Sequence, residues 1–215
     1  VLNEDIAYIL FTSGSTGVPK GVMVTYLNLE NFIEWFTSRP AIAALYPHAV
    51  LNQAQFSFDL SVADLYYTLY IGCTLELLQE GIPASAGASR AELAIMTPSY
   101  ADCCLLDECF AARALPCLQT IFFCGERLRG CTVRRLWHRF PGLRIINAYG
   151  PTEATCAISS AEITPDLAAQ EVLPIGRESG EAVDITLSAE NRICLQGTSV
   201  AAGYLNGACF EGRFL

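Results

Sequence analysis

The feature that most constrains this chain is a repeated alternation between short apolar runs and stretches of helical period. Leu93 to Met96, Leu118 to Cys124 and Leu143 to Ala148 are continuous apolar runs of strand length. Between them, Ser99 to Leu106 reads as helix, and Val133, Leu136, Trp137 and Phe140 recur at i, i+3, i+4 and i+7 before the Pro141-Gly142 stop. The same alternation holds upstream. Ile6 to Phe11, Val22 to Val24 and Ala49 to Ala54 read as strands, Asn28 to Phe36 and Leu60 to Ile71 as helices, and Cys73 to Leu78 as extended. Strands alternating with helices predict an α/β fold with mostly parallel pairing. After about residue 160 the character changes. Ala182 to Leu187 and Arg192 to Leu195 read as a hairpin around Ser188–Asn191, which predicts a more antiparallel β-rich subdomain over 161–215 following the α/β part at 1–160. The small-residue stretch from Gly81 to Ser89 reads as a flexible connection.

The 215 residues suffice for one large domain or two small ones. Apolar residues make up 52% and charged residues 16%, and mean hydropathy is +0.34. Yet no uncharged apolar run reaches the roughly 18 residues of a membrane span, so none is expected. Val1 to Asp5 contain neither a basic region nor a following apolar core, so no signal peptide is read. There is no initial Met, and the chain reads as part of a longer one. A net charge of −9 without basic runs argues against nucleic acid as a partner, though not against a small anion held by one loop. The ten cysteines form no CxxC pair and lie in apolar runs, where Cys acts as a small hydrophobe. A reduced, cytoplasmic protein is expected. Two histidines and no ligand cluster argue against structural zinc.

Three segments carry chemistry. Phe11-Thr-Ser-Gly-Ser-Thr-Gly-Val-Pro-Lys-Gly21 offers N–H and O–H donors directly after a strand, with the Lys20 charge at its end. Such a loop suits phosphate oxygens, but Pro19 before the lysine and Gly21 after it rule out a Walker A pattern, and a plain surface turn is the competing reading. In Phe56-Ser-Phe-Asp-Leu-Ser61, Asp59 stands between apolar residues. It reads either as a helix N-cap or as a partly buried carboxylate that pairs with a ligand ammonium. In Ile145-Ile-Asn-Ala-Tyr-Gly-Pro-Thr-Glu-Ala-Thr155, a strand delivers an aromatic, a hydroxyl and a carboxylate to its carboxyl end. That is where open α/β sheets bind ligands, and one carboxylate beside phosphates suits Mg²⁺; a capped proline turn is the alternative.

These segments, with Gly197-Thr-Ser-Val-Ala-Ala-Gly-Tyr-Leu205, resemble in order the core motifs of the adenylate-forming superfamily of acyl-CoA synthetases, luciferases and peptide-synthetase adenylation domains. Phe56–Val62, Thr97–Asp102, Phe122–Glu126 and Arg144–Thr155 look most like the D-alanine–D-alanyl carrier protein ligases within it. The resemblance implies a fragment of the large adenylation domain, with ATP and Mg²⁺ as cofactors. It implies that Thr12, Ser13, Gly14, Ser15, Thr16, Gly17 and Lys20 close over the ATP phosphates. Gly125, Asn147, Ala148 and Tyr149 would line the adenosine, Thr152 would touch the α-phosphate and Glu153 would hold Mg²⁺. Asp59 would pair with the substrate ammonium beside Cys124, and Lys20, Thr152 and Glu153 would serve catalysis.

The expected reaction is activation of a small amino acid, D-alanine by this resemblance, as its adenylate, then transfer to the thiol of a carrier protein. Two alternatives stand beside it: a peptide-synthetase domain for another amino acid, and a degenerate non-catalytic fragment. Three departures matter. Tyr26 stands where family members usually place a histidine, and the 81–92 segment looks shortened. The ribose-gripping Asp and the mobile C-terminal domain with its catalytic lysine would lie beyond Leu215, so the isolated piece is expected to be inactive.

Overall fold

A computed structural model describes residues 2–12, 19–78, 89–177 and 183–205. Its centre is a six-stranded sheet built from β3 (Ala49–Asn52), β4 (Thr74–Leu77), β5 (Ala91–Met96), β6 (Thr120–Phe123), β7 (Arg144–Tyr149) and β8 (Ser159–Glu162). The spatial order is β4-β3-β5-β6-β7-β8. All neighbours pair in parallel except β8, which runs antiparallel to β7. The expected α/β class is therefore what the chain adopts. β8 carries this sheet through Glu162, past the break expected near residue 160.

The continuous apolar runs follow from burial on both faces. Along β6, Ile121 and Phe123 point into one cluster with Val133 and Leu136 of α5 (Gly130–Arg139), Phe140 just after it and Ala101 of α4 (Pro98–Cys104). Phe122, between them, points into a second cluster with Phe32 and Phe36 of α1 (Tyr26–Thr37) and Tyr67 of α3 (Leu60–Ile71). Phe36 meets both Phe122 and Tyr67 edge-on, with ring centroids 5.0 and 5.1 Å apart. Each such side chain contributes about 1.5–3 kcal/mol through its burial. Helices thus cover both faces, α1 and α3 on one and α4 and α5 on the other.

The chain leaves β3 outward to β4, then returns across β3 to β5, β6 and β7. This reversal opens a crevice at the carboxyl ends of β3 and β5, the position where open sheets bind ligands. Gln53 bridges it, its side-chain oxygen accepting from the Thr97 amide at 3.1 Å.

The first strand does not join this sheet. β1 (Ile6–Thr12) pairs antiparallel with β2 (Lys20–Thr25), and β11 (Gly203–Tyr204) adds to the other side of β2. Expected as a buried strand, β1 is a half-exposed edge, with Phe11 60% exposed. Its apolar run packs on one side only, because an antiparallel hairpin can leave its other face in water. β9 (Asp184–Leu187) and β10 (Ile193–Gln196) form the expected hairpin. The short helices α2 (Pro40–Ala43) and α6 (Pro165–Ala168) complete the described elements. Of the expected connection from Gly81 to Ser89, residues 81–88, like Ala182, fall outside the described residues. All nine described cysteines carry free thiols.

Candidate active site

The expected site residues converge at the carboxyl edge of the large sheet, where the β1–β2 hairpin meets it. Thr12 and Lys20 are register partners at the end of that hairpin. Ser13, Gly14, Ser15, Thr16 and Gly17 lie outside the described residues.

Asp59 occupies the N-cap position of α3, but its side chain makes no capping bond. The cap reading therefore fails. Its carboxylate instead accepts a 2.6 Å hydrogen bond from the Thr152 hydroxyl, which comes from the single 3-10 turn Thr152–Ala154 after β7. Burial raises the Asp59 pKa above its usual value, opposed by the Thr152 hydroxyl and the Leu60 amide and reinforced by the Glu153 charge. A half-buried carboxylate next to a second carboxylate concentrates negative charge, and a cation bound beside them would offset both effects.

Cys124 directly follows β6 and is 2% exposed, its thiol 3.6 Å from the Cys156 carbonyl oxygen. Burial, then the Asp59 charge, pushes its pKa up to about 12, so the thiol stays protonated. Cys156 is raised further by burial and by the neighbouring Cys124. Tyr8 is another neighbour, its hydroxyl pKa lifted by burial, with smaller contributions from Cys156 and Asp59. Asp59 thus has two buried thiols and a tyrosine ring as neighbours.

The turn that supplies Thr152 is strained. Thr155 and Cys156 adopt positive φ of 57° and 73°, unusual for a β-branched residue above all. Thr155 is held there by its hydroxyl donating to the Ser199 carbonyl at 2.9 Å. At Gly150 an added Cβ would lie 2.5 Å from the Ala157 Cα, so only glycine lets the turn fold back this tightly.

Gly125, Asn147, Ala148 and Tyr149 line one cavity of about 520 Å³, closed on its far side by Val172–Ile175. The volume lies within the range of small-molecule sites. Asn147 fixes that wall by donating to the Pro174 carbonyl at 2.9 Å. Gly125, with φ of +88°, turns the chain at the end of β6 so that backbone faces the cavity. The four residues expected around adenosine are thus brought together. A second hollow of about 670 Å³ adjoins it through Glu126 and Arg127, and there Glu126 accepts from both the amide and the hydroxyl of Ser99.

Tyr204 was quoted within a motif but given no role by the sequence. Its hydroxyl donates to Glu153 Oε1 at 2.6 Å, and the Lys20 ammonium sits 5.2 Å from its ring centroid. Burial, followed by the Glu153 contact and charge, raises the phenol pKa, so it remains a donor. The only sequence signal was a tyrosine after Gly203 in an otherwise small-residue stretch. Tyr26, in the place of the family histidine, is 42% exposed on the first turn of α1.

A hairpin ending in Thr12 and Lys20, a cavity of nucleotide size and the neighbouring Asp59 and Glu153 carboxylates share one sheet edge, the arrangement of an α/β ligand-binding site. The chain belongs to the AMP-binding enzyme family, whose model matches residues 1–205. It is 39% identical over 226 residues to the D-alanine–D-alanyl carrier protein ligase of Bacillus licheniformis, covering 95% of this chain and 44% of that protein. It is 41% identical over 230 residues to the ligase of the same name from Listeria monocytogenes serotype 4a, covering 96% and 44%. The chain therefore spans less than half the length of these curated relatives. Among solved structures it is similar to PA1221, an NRPS protein containing adenylation and PCP domains, with TM-score 0.81 and 26% identity over 97% of this chain and 44% of that one. It is also similar to the Vibrio cholerae adenylation domain AlmE in complex with glycyl-adenosine-5'-phosphate, with TM-score 0.78 and 27% identity over 95% and 42%. Among the described residues no helix is long and apolar enough to cross a membrane.

Proposed function

We propose that this chain forms the nucleotide and amino-acid site of a ligase that activates a small amino acid, D-alanine in the first instance, as its adenylate for transfer to a carrier-protein thiol. The observation that carries this reading is the Asp59–Thr152 hydrogen bond. It sets a carboxylate suited to a substrate ammonium against the residue expected at the α-phosphate. An ammonium held by Asp59 keeps its own carboxylate within reach of Thr152, and this proximity favours the in-line attack.

Attack of a carboxylate on a phosphate joins two anions, so positive charge supplies much of the catalysis. Lys20 provides one charge at the mouth of the hairpin. Glu153 fits Mg²⁺, since one carboxylate beside phosphate oxygens is the donor set that ion takes, and Mg²⁺ bound there would offset the phosphate charge. Asn147, Tyr149 and Gly125 hold the adenosine.

The D-alanine assignment draws on the identity to the two ligases and on the crowding by buried Cys124. The free thiols and the demand for ATP fit a reducing cytoplasm. Exchange of labelled pyrophosphate into ATP tests the reading, in the protein that carries this chain, with D-alanine, L-alanine, glycine and a fatty acid. Strongest exchange with D-alanine is expected. Exchange with glycine alone would keep the chemistry and overturn the substrate, and no exchange from folded protein would overturn the reaction.

A further inference from the structure

We propose that Tyr204 is a positioning residue for this site: its hydroxyl holds one oxygen of the Glu153 carboxylate and leaves the other for the metal, while its ring seats the Lys20 ammonium. The inference rests on reading Glu153 as the metal-binding carboxylate.

Three observations carry it. First, the 2.6 Å bond from Tyr204 Oη reaches Glu153 through its Oε1 oxygen. Glu153 sits in a 3-10 turn and its side chain has three free torsions; a short charge-assisted bond to one oxygen removes most of that freedom. It also presents the carboxylate through a single oxygen, which suits Mg²⁺ and its strict octahedral geometry better than a chelating pair.

Second, the same ring lies beneath Lys20, with 5.2 Å from Nζ to the centroid. A cation over a tyrosine face is attracted by the ring quadrupole. Lys20 and Glu153 carry opposite charges and share Tyr204 as a neighbour. The phenol ring contacts one with its face and the other with its hydroxyl, so both are held in place.

Third, the backbone on either side of Tyr204 is pinned to the site. Ala201 N–H donates to the Glu153 carbonyl at 2.8 Å, Ala202 N–H to Met23 at 2.9 Å and Leu205 N–H to Gly21 at 2.8 Å. Asn28 Nδ2 donates to the carbonyls of Thr198 and Val200 at 2.7 and 3.0 Å. The 198–205 segment thus joins the Lys20 strand to the Glu153 turn as a rigid brace. Tyr204 is the point where its side chain enters the site.

Tyr204→Phe removes the hydroxyl and keeps the ring. Mn²⁺ binding, read by electron paramagnetic resonance on the protein with a non-hydrolysable ATP analogue, is expected to weaken about tenfold. The Mg²⁺ concentration for half-maximal pyrophosphate exchange should rise by a similar factor, with KM for the amino acid unchanged. Tyr204→Leu should also raise KM for ATP, since Lys20 loses its seat. Wild-type Mn²⁺ affinity in Tyr204→Phe, with or without a lowered melting temperature, overturns the proposal by reducing the residue to a structural one. Glu153→Gln separates the two failures. If it abolishes Mn²⁺ binding while Tyr204→Phe does not alter it, only the role of Tyr204 falls. If neither variant alters Mn²⁺ binding, the metal reading of Glu153 falls and takes this inference with it.

Discussion

Thr152 and Asp59, 93 residues apart in the chain, meet through a 2.6 Å hydrogen bond that locks the turn after β7 to the residue that precedes α3. The hydroxyl holds the carboxylate in place without neutralising it, so the charge remains available to a ligand. Replacing Asp59 by Asn keeps a hydrogen-bond acceptor for Thr152 and removes only that charge. KM for the amino acid should rise about 100-fold, the scale of a lost buried ion pair, while KM for ATP changes little. Steady-state exchange kinetics check this, and an unchanged KM for the amino acid would remove Asp59 from the substrate site.

Cys124 sits beside that carboxylate with a protonated thiol, its pKa near 12. Native protein treated with iodoacetamide at pH 8 should label Cys103, Cys109 and Cys131, which are exposed, and spare Cys124 and Cys156. Peptide mass mapping reads the outcome. Cys124→Ala should free space beside Asp59 and shift relative kcat/KM toward longer side chains by about tenfold, since one heavy atom in a tight substrate site counts for about that much.

Asp64 presents a different case. It is fully buried in α3; Asn52 donates to its Oδ2 at 2.6 Å while its Oδ1 has no hydrogen-bond partner. Burial lifts its pKa from 3.8 to about 7 against the opposing Asn52 bond. The folded state thus keeps a proton that the unfolded chain loses, and stability falls as pH rises from about 4 to about 7. Above that range the cost is fully present, on the order of 2–4 kcal/mol. Asp64→Asn should raise the melting temperature at pH 8 and leave it nearly unchanged at pH 4. An equal shift at both values would mean that the carboxyl does not titrate in this window.

Asn28 closes a capping box with Thr25 and reaches the 198–200 backbone with its amide. Asn28→Asp keeps the acceptor in the box but loses both donors and sets a carboxylate against two carbonyls. Chemical denaturation should show a loss of about 2–3 kcal/mol, at least as large as for Asn28→Ala. A milder effect for Asp than for Ala would mean that the bonds to Thr198 and Val200 contribute little.

The large sheet was legible because its strands are buried on both faces, as Phe122 and Phe123 show by pointing into opposite clusters. α3 was legible to the residue, from Leu60 to Ile71. β8 was not: Ser159-Ser-Ala-Glu162 has no apolar signal, and only pairing along β7 makes it a strand. β11 is two residues long and exists only because β2 offers it an edge. At the site, Asp59 read locally as a cap because Thr152, which claims its side chain, lies far along the chain. Tyr204 stayed silent for the same reason, its partners Lys20 and Glu153 being distant in sequence and close in space.

The pairing of Gly203 with Met23 also sets a schedule for synthesis. β2 leaves the ribosome with one flank paired to β1, and the strand that covers its other flank follows about 180 residues later. At about 5–20 residues per second the nascent hairpin waits on the order of ten seconds or longer with bare amides and carbonyls along that flank. Such a row is a template for neighbouring chains, so crowding on polysomes is where this protein is most exposed to mispairing.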